Sequence, residues 1–250
     1  QQDVLGVGQQ PGQTDLGGRV AQTLGDGLDL LVLVDAREPA EGRAQREVRD
    51  VGHALVAAQL EGLLVASGQQ VVGILHLDGA RLWNAHVATG LPLTAYGEQF
   101  DTVSVCLSKG LGAPVGSVLV GSVGRMAQAR IWRKRYGAGM RQVGILAAAG
   151  IHALDHHLDR LADDHARAAR FAAACAEAAP AAVDATTVET NIVVLDVGAV
   201  GWEAPAFVAA LLEQGVRTYA VGPGRVRAVW HLDVGDAGTA AAIDAAPSFD

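Results

Sequence analysis

The apolar positions of this chain fall into short runs cut by glycine and proline, with strand-like and helix-like spacing in turn. Leu28 to Val34 is a nearly continuous apolar stretch of strand length, and Val48, Val51, Leu55, Val56 and Leu60 give 45–64 a loose helical spacing. Val71 to Leu77 predicts a short buried strand that runs out into His76-Leu77-Asp78-Gly79-Ala80-Arg81. Residues 82–89 predict a short helix or turn, 101–107 a strand, and 115–120 another. Helices follow over Met126 to Tyr136, Val143 to Leu154 and Leu158 to Ala179, the last stopped by Pro180. Thr190 to Asp196 is strand-like, Pro205 to Gln214 helical, and Val216 to Ala220 and Arg225 to Leu232 strand-like around a Gly222-Pro223-Gly224 turn. The order of elements predicts an α/β portion, mostly parallel sheet with helices, followed by a small α+β domain.

Composition changes that picture in one place. Residues 1–72 hold no lysine, methionine or aromatic residue, although the chain has 4 Phe, 4 Trp and 3 Tyr, all from Trp83 onward. Glutamine clusters there instead, and the first methionine is Met126. The break predicts that 1–72 is poorly folded, and a truncated gene or a segment read in the wrong frame would account for it. Gly6-Val7-Gly8 with Gly12 has neither a preceding strand nor a correctly placed third glycine, so no dinucleotide loop is expected.

A net charge of −8 and a pI near 5.4 argue against a nucleic-acid partner or a polybasic membrane face. No apolar run approaches the ~18 residues of a membrane span, and no signal-peptide pattern opens the chain. Cys106 and Cys175 make no disulfide framework and read as reduced core residues, which suits a cytoplasmic protein.

Candidate chemistry centres on Lys109, one of two lysines beside Lys134. It follows an apolar strand and enters a turn of glycines. Burial there would lower its ammonium pKa and free a nucleophile for an aldehyde cofactor. A lysine that snorkels to solvent fits the same position. Asp78 and Arg81 sit at another strand end. A lysine, a carboxylate and an arginine are what pyridoxal phosphate and an amino-acid substrate need. The lysine takes the aldehyde, the carboxylate keeps the pyridine nitrogen protonated, and Arg81 or Arg227 would grip the substrate carboxylate. A surface Asp–Arg pair would look similar. His152 and His156 are spaced i, i+4, yet lack the H-E-x-x-H glutamate and a third ligand, so no metal is expected. With His157 and His165 among Asp155, Asp159, Asp163 and Asp164 they read as a solvated helix face, as does the arginine-rich 125–135 segment.

The stretches His76-Leu77-Asp78-Gly79-Ala80-Arg81, Ser104 to Ser117, Gly139-Met140-Arg141-Gln142 and Arg227 to Val234 together resemble the low-specificity L-threonine aldolases. That family uses pyridoxal phosphate on the type I, aspartate-aminotransferase fold, and the resemblance runs from about 73 to about 245. It implies Lys109 as the Schiff-base lysine and Asp78 as partner of the pyridine nitrogen. Arg81 and Arg227 would hold the substrate carboxylate, and Lys134 and Arg141 would reach the cofactor region, across a subunit interface. The implied reaction is retro-aldol cleavage of L-threonine or L-allo-threonine to glycine and an aldehyde by a homodimer or homotetramer.

The family's N-terminal half is not matched. Its Ser-Gly-Thr phosphate turn has only Ser67-Gly68-Gln69 as counterpart, and its two site histidines only His53. The expected divisions are an unmatched 1–72, the rest of a cofactor-binding domain over 73–155, and a small α+β domain over 156–250. Two rival readings stand beside the aldolase: another β-eliminating amino-acid lyase of the same fold, and a catalytically impaired fragment that at most associates with partner subunits.

Overall fold

The computed structural model describes residues 28–33 and 75–246. The described residues group into two units, one taking 28–33, 75–82 and 91–158, the other 83–90 and 159–246. The sequence expectations for a helix over 45–64, the Gly6 loop, His53 and Ser67-Gly68-Gln69 lie outside the described residues.

In the first unit, strand β1 (Leu28–Leu33) heads a four-stranded sheet with β2 (His76–Gly79), β3 (Thr102–Cys106) and β4 (Ser117–Ser122), in the order β1-β4-β3-β2. The two-residue period turns Leu77, Val103, Val105, Val118 and Val120 into the core. It leaves His76, Asp78, Thr102 and Ser104 on the opposite face. Strands β2 and β3 are parallel, and β4 runs antiparallel to both β3 and β1. Loop length explains the difference. The stretch 80–101 carries two helices, α1 (Leu82–Thr89) and the short α2 (Leu93–Gly97), and is long enough for a crossover. The ten residues 107–116 between β3 and β4 are too few for one. The described sheet is therefore mixed rather than mostly parallel.

Helix α3 (Val123–Arg135) packs along β4 and β1 and buries Met126 completely. Its Arg125 Nη2 donates to Asp101 Oδ1 at 2.6 Å, while Asp101 Oδ2 accepts the Leu75 N–H at 2.9 Å. One carboxylate thus ties the starts of β2 and β3 to the helix. Helix α4 (Gly144–His156) completes the unit.

The second unit has a three-stranded antiparallel sheet, β5 (Ile192–Asp196), β7 (Arg225–Val229) and β6 (Tyr219–Gly222), in the order β5-β7-β6. Val193, Leu195, Val226 and Ala228 face a core closed by α5 (Leu161–Ala178), α6 (Ala204–Glu213) and α7 (Asp236–Asp244). Phe171 and Phe207 are almost fully buried, each stabilising the fold by about 1.5–3 kcal/mol. Trp230 packs on Phe171 at 5.0 Å between ring centroids and donates its Nε1–H to Thr239 Oγ1 at 2.9 Å. Arg167 Nε and Arg170 Nη2 both reach Asp236 Oδ1 at 3.2 Å, which pins α7 to α5.

One strand lies later than its apolar run predicts. The Val216 N–H bonds back to Leu211 O and the Gly215 N–H to Leu212 O, with Gly215 at φ 82°. That is a helix-ending Schellman pair, so Val216 caps α6 and β6 begins only at Tyr219. Helices α2 and α7 were not expected at all: the first is a single turn and the second mostly alanine, so neither carries a clear apolar stripe. Both cysteines are buried and neither forms a disulfide, and burial pushes the Cys175 thiol up to about 12. Among the described residues no helix is long and apolar enough to cross a membrane.

Candidate active site

Because β2 and β3 are parallel and in register, Asp78 opposite Ser104 and Gly79 opposite Val105, their C-terminal ends open on one edge of the sheet. Ligands of open α/β sheets bind beyond such an edge. Asp78 is the last residue but one of β2, from which the chain leaves through Ala80 and Arg81, and β3 runs out into the loop that carries Lys109. The structure thus brings Asp78, Arg81 and Lys109 to one edge.

The Lys109 loop is tightly bonded. The Leu107 N–H donates to Gly116 O at 2.9 Å, Ala113 N–H to Leu107 O at 3.0 Å, and Gly112 N–H to Lys109 O at 2.9 Å. Gly112 has a φ of 71°, a left-handed conformation that a side chain would oppose. Leu107 and Leu111 take the buried places, at 2% and 0% exposure, and hold the loop to the core. Lys109 itself is exposed. The burial expected for it is absent, because β3 ends at Cys106 and the turn rotates the amine outward.

Asp78 Oδ1 accepts the Ala80 N–H at 3.1 Å, an Asx turn that fixes the carboxylate at the strand end. On the same face His76 bridges two hydroxyls of β3, with Nδ1 at 2.9 Å from Thr102 Oγ1 and Nε2 at 3.4 Å from Ser104 Oγ. Desolvation lowers the His76 pKa, opposed by the Asp78 carboxylate. Lys134 and Arg141 lie exposed in the same unit, and the Lys134 stem covers Gly139, its Cδ 3.0 Å from where a Cβ there would stand. Arg227 belongs to the other unit, on β7. Its Nε is buried and has no hydrogen-bond partner among the described residues. A guanidinium left so has an unmet demand for an acceptor.

Two histidines read as solvated are not. His157 Nδ1 lies 2.6 Å from Leu111 O, and His165 Nε2 accepts from Asn84 Nδ2 at 3.1 Å within the second unit. A buried Asn84 in a strongly apolar helix was the one available hint for the second contact. Burial pushes the His165 pKa down to about 4. The unfolded chain therefore binds a proton near pH ~6.5 that the folded one refuses. Stability from this residue is complete above that pH and is lost as pH falls toward 4. We expect wild-type unfolding free energy to drop by on the order of 1–2 kcal/mol across that window relative to His165→Gln, allowing for solvent screening. Parallel urea titrations of the two proteins from pH 7 to pH 4 check it.

Residues 66–198, more than half of the chain, match the family model described as beta-eliminating lyase. The chain belongs to that family. The low specificity L-threonine aldolase of Escherichia coli K12 is 48% identical to this chain over 124 residues, covering 50% of this chain and 36% of that one. The low-specificity L-threonine aldolase 1 of Arabidopsis thaliana is 47% identical over 122 residues, 49% of this chain and 34% of that one. The solved threonine aldolase of Leishmania major superposes with a TM-score of 0.57 at 19% identity, covering 76% of this chain and 55% of that one. The α/β fold of those enzymes is therefore shared. The chain spans less than half the length of the two curated relatives.

Proposed function

We propose that this family member is a pyridoxal-phosphate-dependent aldehyde-lyase that cleaves L-threonine and L-allo-threonine to glycine and an aldehyde. The observation that carries it is Asp78 and Lys109 on one strand edge. The donor set suits the cofactor: an exposed amine for its aldehyde at Lys109, and a turn-fixed carboxylate at Asp78 for its pyridine nitrogen. Arg81 follows Asp78 by three positions and serves the substrate carboxylate, with Arg227 on the same task, in keeping with the unpartnered Nε. Lys134 and Arg141 reach a cofactor across a subunit interface in a cytoplasmic homodimer or homotetramer. Exposed Ile131, Trp132, Tyr136 and Met140 around them support such a contact.

When bound, the cofactor supplies a protonated ring that withdraws electrons from Cα of the substrate. The chain's own part is to hold that arrangement. Asp78 would face the ring-nitrogen side, and its Asx turn fixes the direction of the carboxylate in advance. The arginines grip the carboxylate and so fix which bond of Cα is presented for cleavage. In the overall change the β-hydroxyl gives up its proton, Cβ becomes the aldehyde carbonyl, and Cα keeps the bonding pair and takes a proton.

Glycine is the discriminating product. With added pyridoxal phosphate and L-threonine we expect glycine and an aldehyde in equal amounts; a 2-oxo acid and ammonia without glycine would instead indicate β-elimination. Arg227→Ala is expected to raise KM for threonine about 10- to 100-fold, since one charge-assisted bond to a carboxylate contributes about 1.5–3 kcal/mol. An unchanged KM would remove Arg227 from the substrate site.

A further inference from the structure

Helix α4 ends against the lysine loop. The His157 N–H closes the helix on Ala153 O at 2.9 Å, and its ring Nδ1 then stands 2.6 Å from Leu111 O. A carbonyl brings no proton, so Nδ1 is the donor and the tautomer is set. Leu111 is fully buried, and its carbonyl needs such a partner. The same peptide unit contributes the Gly112 N–H, which donates to Lys109 O at 2.9 Å. One peptide plane therefore connects the imidazole to the lysine: its oxygen is held by His157 and its nitrogen holds Lys109. Bonds in series polarise and orient one another. The His157 ring is itself steadied by His152, edge-on at 5.3 Å between ring centroids.

We propose that His157 is a positioning residue for Lys109, holding the Leu111–Gly112 peptide and with it the turn on which the amine stands. This rests on the reading of Lys109 as the cofactor lysine. Asn at the same position can place its amide nitrogen where Nδ1 stands and donate; Leu fills the space and cannot.

The test compares the wild-type chain, His157→Asn and His157→Leu by two measurements. Amide hydrogen exchange at Gly112 is expected to quicken about tenfold in His157→Leu and to return to within about threefold of wild type in His157→Asn, with β3 and β4 amides unchanged in both. The rate at which pyridoxal phosphate is trapped on Lys109 by borohydride is expected to follow the same order, while trapping on Lys134 does not move. If wild type traps nothing at Lys109, the cofactor reading fails, and exchange at Gly112 still decides the role of His157. Wild-type exchange at Gly112 in His157→Leu overturns the proposal. So does an equal rise throughout β3 and β4, which would make the contact general packing.

Discussion

Replacing Lys109 with alanine is expected to abolish borohydride-trapped pyridoxal phosphate on its peptide and to lower glycine production by on the order of 10³-fold or more, the scale of losing a covalent catalytic group. The chain makes an unusually clean background for this experiment, because Lys134 is the only other lysine. Mass spectrometry of the reduced, digested protein therefore has two lysine peptides to compare. Lys109 stands in a loop closed by the bonds from Leu107, Ala113 and Gly112, on the edge that also carries Asp78. Lys134 lies on the exposed end of α3, its stem over Gly139. Preferential labelling of Lys109 in wild type, and its loss in Lys109→Ala with Lys134 labelling unchanged, would place the amine as proposed. Equal labelling of the two lysines would mean that the loop confers no special placement, and the aldolase reading would lose its central residue.

Much of the architecture was legible in the chain, because its strands are short, apolar and bounded by glycine or proline. The alternation in Arg225 to Val229 and in Thr102 to Cys106 marks a buried face that the folded chain uses unchanged. Leu28 to Leu33 was legible in the same way and pairs with β4, although the segment around it had been expected to fold poorly. What escaped were features decided by tertiary contacts. The displacement of β6 depends on a capping bond from Val216 to Leu211. The outward turn of Lys109 depends on which neighbours, Leu107 and Leu111, are drawn into the core. His157 and His165 looked like polar surface because helical periodicity says nothing about which carbonyl or amide lies opposite. The site residues Asp78 and Lys109 could be named from their positions after apolar runs. Their shared edge follows only from the parallel pairing of β2 and β3.

Gly79 offers the sharpest structural test of that edge. A Cβ added there would stand 2.7 Å from the Ser104 backbone oxygen, 3.2 Å from Leu82 Cβ and 3.3 Å from Val105 Cγ1. The first contact is with the main chain of β3, which cannot rotate out of the way as a side chain could. Relief must come from separating β2 from β3 at the step where Gly79 faces Val105, next to Asp78. Overpacking of this kind costs about 1–3 kcal/mol, so Gly79→Ala is expected to lower Tm by roughly 3–10 °C. Gly124 in α3 is the matching control: a Cβ there meets nothing within 4 Å, and alanine is expected to leave Tm unchanged or raise it slightly. The two variants differ in a second way. Gly124→Ala should trap pyridoxal phosphate on Lys109 at the wild-type rate. Gly79→Ala, measured well below its own Tm, should trap it several-fold more slowly, because the carboxylate and the amine no longer leave the sheet in register. A Gly79→Ala protein that is destabilised yet traps normally would show that the spacing of β2 and β3 does not govern the site, and would leave Asp78 without the role given to it here.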